Sequence, residues 1–294
     1  MPAEKHTVNA IFYVVITTLL SSIFWVLINR SGHMEAAGGI YLSALMWAPA
    51  VAAFVTIGVR HLGVRSLGLR WGGTRYVLWG YLTPLAYAAI AYGLIWTFGL
   101  GSFPNPQAIV DLTGKLGWHM TSASAFVPTY FLFIATIWVV LSVTRAVGEE
   151  IGWRGLLTPQ LVSRFGFTGG SLLTGVIWAA WHMPLLLFAD YSGDTPWWFA
   201  MPCFWVLVLS LSIILTWLRL KSRSVWPCAL LHASHNAFIQ AFFTPLTLPH
   251  GQLTRYVIDE FGVAVPVVSA VFALFFWFRR GQAMGERPLE PVAA

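Results

Sequence analysis

Apolar residues gather in eight runs, at about 8–29, 37–59, 77–99, 126–148, 169–189, 198–218, 225–246 and 261–278, with short polar stretches between them. Each comes close to the roughly 20 residues a helix needs to cross a bilayer. The pattern predicts an all-α, polytopic membrane helix bundle with about eight transmembrane helices. The first run follows Glu4-Lys5-His6 and is too long for the apolar part of a typical signal peptide, so an uncleaved anchor is expected.

The basic residues test this reading. With a cytoplasmic N-terminus, the inner segments hold fourteen of the seventeen Lys and Arg residues, leaving only Arg30, Lys115 and Arg255 outside. That asymmetry is the one expected of a multi-pass protein of the cytoplasmic membrane with both termini inside. Composition agrees: 57% of residues are hydrophobic and 10% charged, against about 25% charged in soluble domains. Mean hydropathy is +0.71, and sixteen tryptophans suit the bilayer interface. The pI of 9.6 reflects arginines spread between apolar runs, so no nucleic-acid partner is expected. Cys203 and Cys228 both lie inside apolar runs and read as packing residues.

No internal repeat or second domain interrupts the chain. One transmembrane bundle is expected over 1–278, with a core at about 126–246 and a polar, disordered tail at 279–294. The connection at 100–125, carrying Pro104, Pro106 and Gly114, predicts a short interfacial helix.

Ionisable groups inside a membrane are expensive and point to function. Nine acids fall in tails or loops, Glu260 among them. Glu149 and Glu150, in "GEEIGWRG", are the two that do not. Of eight histidines, His182, His232 and His235 fall within spans. Glu150 and Arg154 are four apart and share a helix face, while Glu149 points about 100° away. Trp178 precedes His182 by four residues, as His232 precedes Asn236, so each pair shares a face.

A bundle that turns Glu149, His182, His232 and Asn236 inward would hold a carboxylate, two imidazoles and an amide around one point. Such a set can activate water and stabilise an oxyanion without a serine or cysteine nucleophile. Glu149, His182 and His232 also match a catalytic zinc set in kind, although no H-E-x-x-H pairing is present. Taken singly, the acids read as a solvated helix end, His182 as a bundle histidine and His232 with Asn236 as interhelical glue. His235 is read as structural. Their coincidence on three helices favours a site.

"EEIGWRG", "WAAWHMP" and "LLHASHNAF" together resemble the motifs of the CAAX prenyl protease and bacteriocin-processing (CPBP, or Abi) family of intramembrane proteases. "SLGLR" at 66–70 is similar to a segment that often follows the family's second span. The likeness covers mainly residues 66–240, and Trp178 stands where the motif often has Phe. It implies a glutamate-dependent endopeptidase with no metal cofactor, acting on a membrane-associated peptide or protein among membrane lipids. By that resemblance Glu149 and His182 activate water, His232 and Asn236 stabilise the oxyanion, and Glu150, Arg154 and Trp178 support the site. The alternatives are a catalytically silent protein of the same fold, acting as an immunity factor or scaffold, and a proton-coupled transporter. Paired hydropathy halves, which a transporter would favour, are not evident.

Overall fold

A computed structural model describes residues 2–120 and 122–285. Its long helices are α1 (Pro2–Ser31), α2 (Ile40–Arg60) and α3 (Thr74–Thr97), followed by the short α4 (Pro106–Leu116). Next come α5 (Ala123–Phe133), α6 (Val139–Glu150), α7 (Thr158–Phe188), α8 (Trp197–Ser222), α9 (Trp226–His235), α10 (Ala264–Phe278) and α11 (Arg280–Met284). The only sheet among the described residues is one short antiparallel pairing, Gly101 with Pro249 and Ser102 with Leu248.

Among the described residues, five helical stretches are long and apolar enough to cross a bilayer: Glu4–Ser31, Ala36–Arg60, Thr74–Thr97, Ala123–Phe188 and Trp197–Ser222. The fourth has 66 residues, about twice or three times what one crossing needs. Its backbone breaks at Gly166 (φ 70°, ψ −179°), which separates two of the expected spans. The last two expected spans are helical but shorter, α9 with its continuation to Phe243, and α10. The architecture is an all-α membrane bundle.

Its lipid-facing logic is clearest in α1. Ile11, Val15, Leu19 and Ile23 are exposed at four-residue spacing, while Asn9, Tyr13, Thr17 and Ser21 are buried at the same spacing. In lipid there is little hydrophobic gain from turning aliphatic residues inward, so small and polar residues make the helix contacts. Ser21 accepts a hydrogen bond from the Trp181 indole (2.8 Å).

The structure moves three boundaries. The span predicted to end at 148 continues through π-helical turns at Ile151–Leu157 as far as Phe165, so Glu149 and Glu150 are interior rather than at a helix end. Arg154 and Arg219, counted among the inner-segment charges, are buried in the bundle. The tail expected to be disordered from 279 begins with α11, packed on α8; residues 286–294 lie outside the described residues. The helix expected at 100–125 is α4, capped by Asn105, which accepts from the backbone N–H of Gln107 (3.1 Å).

Close helix approach is set by glycine where α3 meets α9. A Cβ on Gly80 would lie 2.2 Å from the Pro227 carbonyl oxygen, whereas one on Gly93 of the same helix meets nothing within 4 Å. Gly80→Ala should therefore destabilise the fold by about 1–3 kcal/mol, and Gly93→Ala by at most about 0.5 kcal/mol. Thermal unfolding of the two variants in the same detergent checks the order.

Candidate active site

Three helices converge on the acids. The last turn of α6 carries Glu149 and Glu150, α7 carries Trp178 and His182, and α9 carries His232. Two glycines let "GEEIGWRG" sit deep in the bundle. A Cβ on Gly148 would fall 2.7 Å from the Met46 carbonyl oxygen, and one on Gly152 would fall 2.3 Å from the Tyr13 hydroxyl and 2.5 Å from Pro49. Any side chain there would push α1 and α2 away from the acids.

Glu150 is fully buried and doubly paired. Its Oε1 accepts from Arg154 Nη1 (3.0 Å) and from His232 Nδ1 (3.0 Å). The Arg154 guanidinium also lies over the Trp178 ring, 4.1 Å from its centroid. Glu149 is oriented by two indoles: Trp178 donates to its Oε2 at 2.7 Å and Trp153 at 3.3 Å. His182 Nδ1 donates to the Trp178 carbonyl (2.8 Å). Both imidazoles thus spend Nδ1–H on a fixed acceptor, which in the neutral tautomer leaves Nε2 as a base.

The spacing argument holds for Glu150 with Arg154 and needs correction for His232. That imidazole meets Glu150, the face of α6 that packs on α9, rather than Glu149. Glu149, turned about 100° around the helix, faces α7 instead. It is joined to His182 through Trp178, which donates to the acid from its ring and accepts from the imidazole at its backbone. Asn236 is half-buried one turn beyond His232, at the start of a π-helical segment, Asn236–Phe243. Trp178 is more than a support: it touches Glu149, Arg154, His182 and His232 (ring centroids 5.4 Å from the last).

The "SLGLR" segment also has a physical role. Arg219 Nη2 donates to the Ser66 carbonyl (2.7 Å) and Arg219 Nε to the Arg154 carbonyl (2.9 Å), inside the π-helical turns. The carbonyls of Gly68, Leu69 and Arg70 accept from Val225, Trp226 and Ser224. Gly68 is left-handed (φ +71°), and a Cβ there would lie 2.8 Å from the Arg219 guanidinium carbon. The segment is a backbone cradle that fixes the start of α9, and hence His232, against Arg154.

Sequence reasoning missed Tyr13 and Glu260. Tyr13 is fully buried and packs edge-on against Trp153 (5.8 Å); the polar repeat at 9, 13, 17 and 21 was the available signal. Glu260, placed in a loop, is only 3% exposed and accepts from His235 Nε2 (2.8 Å). Glu150 Oε1 is shared by Arg154 and His232, and among the described residues no group of three His, Cys, Asp or Glu side chains could hold an ion.

The fold and site define a polytopic membrane bundle with a buried Glu–Arg–His cluster. Residues 131–238 match the family of type II CAAX prenyl endopeptidases, Rce1-like. A protein named CAAX prenyl protease 2, from Methanococcus maripaludis, is 34% identical over 103 residues, which are 33% of this chain and 34% of the relative. The chain is thus aligned with about a third of that relative's length. The matched segment contains every candidate site residue, from Glu149 to Asn236, and there the chain is similar to the Rce1-like family.

The buried pairing makes unequal demands. Arg154→Met leaves Glu150 with His232 alone and should destabilise the protein by about 3–5 kcal/mol. Trp178→Phe keeps a ring under Arg154 but removes one donor to Glu149, and about 1–3 kcal/mol is expected. Thermal midpoints of the purified variants check that Arg154→Met is the worse.

Proposed function

We propose that this protein is an intramembrane endopeptidase that hydrolyses a peptide bond with a water activated by Glu149 and His182. The observation that carries the reading is one buried hydrogen-bonded cluster. Two glutamates, an arginine, a tryptophan and a histidine from three helices meet in it, where unpaired charge is costly.

In this reading the carboxylate of Glu149, steered by the two indoles, takes a proton from water as its oxygen attacks the scissile carbonyl carbon. His182, with Nδ1 tied to the Trp178 carbonyl, presents Nε2 to the same water. The carbonyl oxygen gains negative charge and is met by donors on the α9 side, the Asn236 amide and the protonated form of His232. The proton held by Glu149 then passes to the departing amine as the C–N bond breaks. Glu150 and Arg154 stay paired throughout, fixing His232 and neutralising the second acid. The substrate would be a membrane-associated peptide or protein reached among lipids, and the prokaryotic cytoplasmic membrane is the proposed location. The name of the relative suggests a prenylated C-terminal sequence as the first to try.

The test is cleavage of an internally quenched peptide with a farnesylated C-terminal CAAX sequence, beside its unprenylated twin, by protein in lipid nanodiscs. Glu149→Gln should abolish turnover while keeping the unfolding midpoint. Asn236→Ala should lower kcat by roughly 10²–10³-fold, as loss of one oxyanion donor does. Activity should persist through chelation. Full activity in Glu149→Gln would sink the glutamate reading, and loss on chelation reversed by zinc would replace it with a metal mechanism.

A further inference from the structure

A third buried glutamate lies beside the site on the loop side of the bundle. Glu260 stands on the connection between the π-helical segment after α9 and α10. Its Oε1 accepts from His235 Nε2 (2.8 Å) and from the Gln240 amide (2.7 Å), and its Oε2 accepts from the Tyr191 hydroxyl (3.2 Å). With Nε2 donating, the neutral His235 ring accepts a hydrogen bond from the Tyr87 hydroxyl at Nδ1 (2.5 Å). Side chains from three places, α9, the π-helical segment and the α7–α8 connection, therefore close on one carboxylate. Burial alone would raise its pKa, but the hydrogen bonds from His235 and the Gln240 amide outweigh burial and hold it below the usual range.

Tyr191 carries this arrangement to the site. Its ring lies nearly parallel to the His182 imidazole, at 18°, with centroids 6.0 Å apart. Phe204 meets both rings edge-on, 5.1 Å from His182 and 5.7 Å from Tyr191. Phe261, next to Glu260, packs edge-on against Tyr191 (5.0 Å). The loop at 260–261 thus grips Tyr191 twice, by a hydrogen bond to its hydroxyl and by a ring against its face. Tyr191 also lines a cavity of about 280 Å³, with Gln240 and Asp259.

We propose that Glu260 is a positioning residue for His182, acting through Tyr191. The inference rests on the reading that His182 takes part in hydrolysis. Trp178 fixes one nitrogen of the imidazole, but a ring held at one point can still tilt about that bond. The parallel Tyr191 ring, itself held by Glu260, limits the tilt and so fixes where Nε2 points. A misdirected base loses rate and leaves substrate affinity nearly untouched.

The experiment compares Tyr191→Phe, Glu260→Gln and Tyr87→Phe with the unaltered protein in nanodiscs, reading kcat and KM on the quenched peptide and the unfolding midpoint. It also reads the His182 ring ¹⁵N resonances in histidine-labelled protein, which need no turnover. Tyr191→Phe keeps the ring and the staples from His235 and Gln240, yet frees the hydroxyl end. It and Glu260→Gln should lower kcat roughly tenfold with KM within about twofold, and both should move or broaden the His182 resonances. Tyr87→Phe, two bonds away, should lower the midpoint without either effect. Unmoved His182 resonances in Tyr191→Phe and Glu260→Gln, or an equal loss of kcat in Tyr87→Phe, would reduce Glu260 to a loop staple and overturn the proposal. Were Glu149→Gln active, the hydrolytic reading would fall, and the resonances alone would still decide whether Glu260 positions His182.

Discussion

Burying the Glu150 carboxylate is the constraint around which the centre of the bundle is arranged. An ionised acid away from water is tolerated only where charge and hydrogen bonds replace its hydration. Arg154 supplies the charge from one turn further along the same helix, and His232 supplies a donor from α9. Arg154 must in turn be accommodated, which the Trp178 face does from α7. One buried charge thereby dictates how three helices sit against one another, and those helices also carry Glu149, His182 and Asn236.

The surrounding backbone is shaped to admit the cluster. Gly148 and Gly152 bring α2 and α1 to contact distance around the acids. π-Helical turns follow both the acids and the His232 helix, and such turns recur at functional sites because they redirect side chains and loosen the regular ladder. Arg219 secures the first of them by donating to the Arg154 carbonyl, and it ties the same point to Ser66. The "SLGLR" likeness thus has a mechanical explanation. It is a turn whose carbonyls are read by the α8–α9 junction, with a glycine where a guanidinium leaves no room.

Much of this was legible in the residues, for identifiable reasons. Long apolar runs and the skewed arginines gave the bundle class, because bilayer thickness and charge transfer act on short stretches of chain. The pairing of Glu150 with Arg154 was legible because a helix places residues four apart on one face. The partner of His232 was not, since helical phase fixes which way a residue points along its own helix and says nothing about which neighbour it meets. Glu260 was misplaced for a related reason. A loop residue between apolar runs looks solvated, and only the fold of that loop over His235, Gln240 and Tyr191 shows that it is enclosed.

The sequence by itself determined that the chain is a membrane bundle, that Glu149, Glu150, His182, His232 and His235 come from three of its apolar runs, and which residues on each helix share a face. Those properties follow from local periodicity and from the cost of polar groups in hydrocarbon. The tertiary structure decided that His232 serves Glu150, that Glu149 is held by indoles, and that Glu260 is enclosed by His235, Gln240 and Tyr191. Such pairings depend on helix depth, rotation and approach, which arise from packing small residues such as Gly80, Gly148 and Gly152 against particular neighbours.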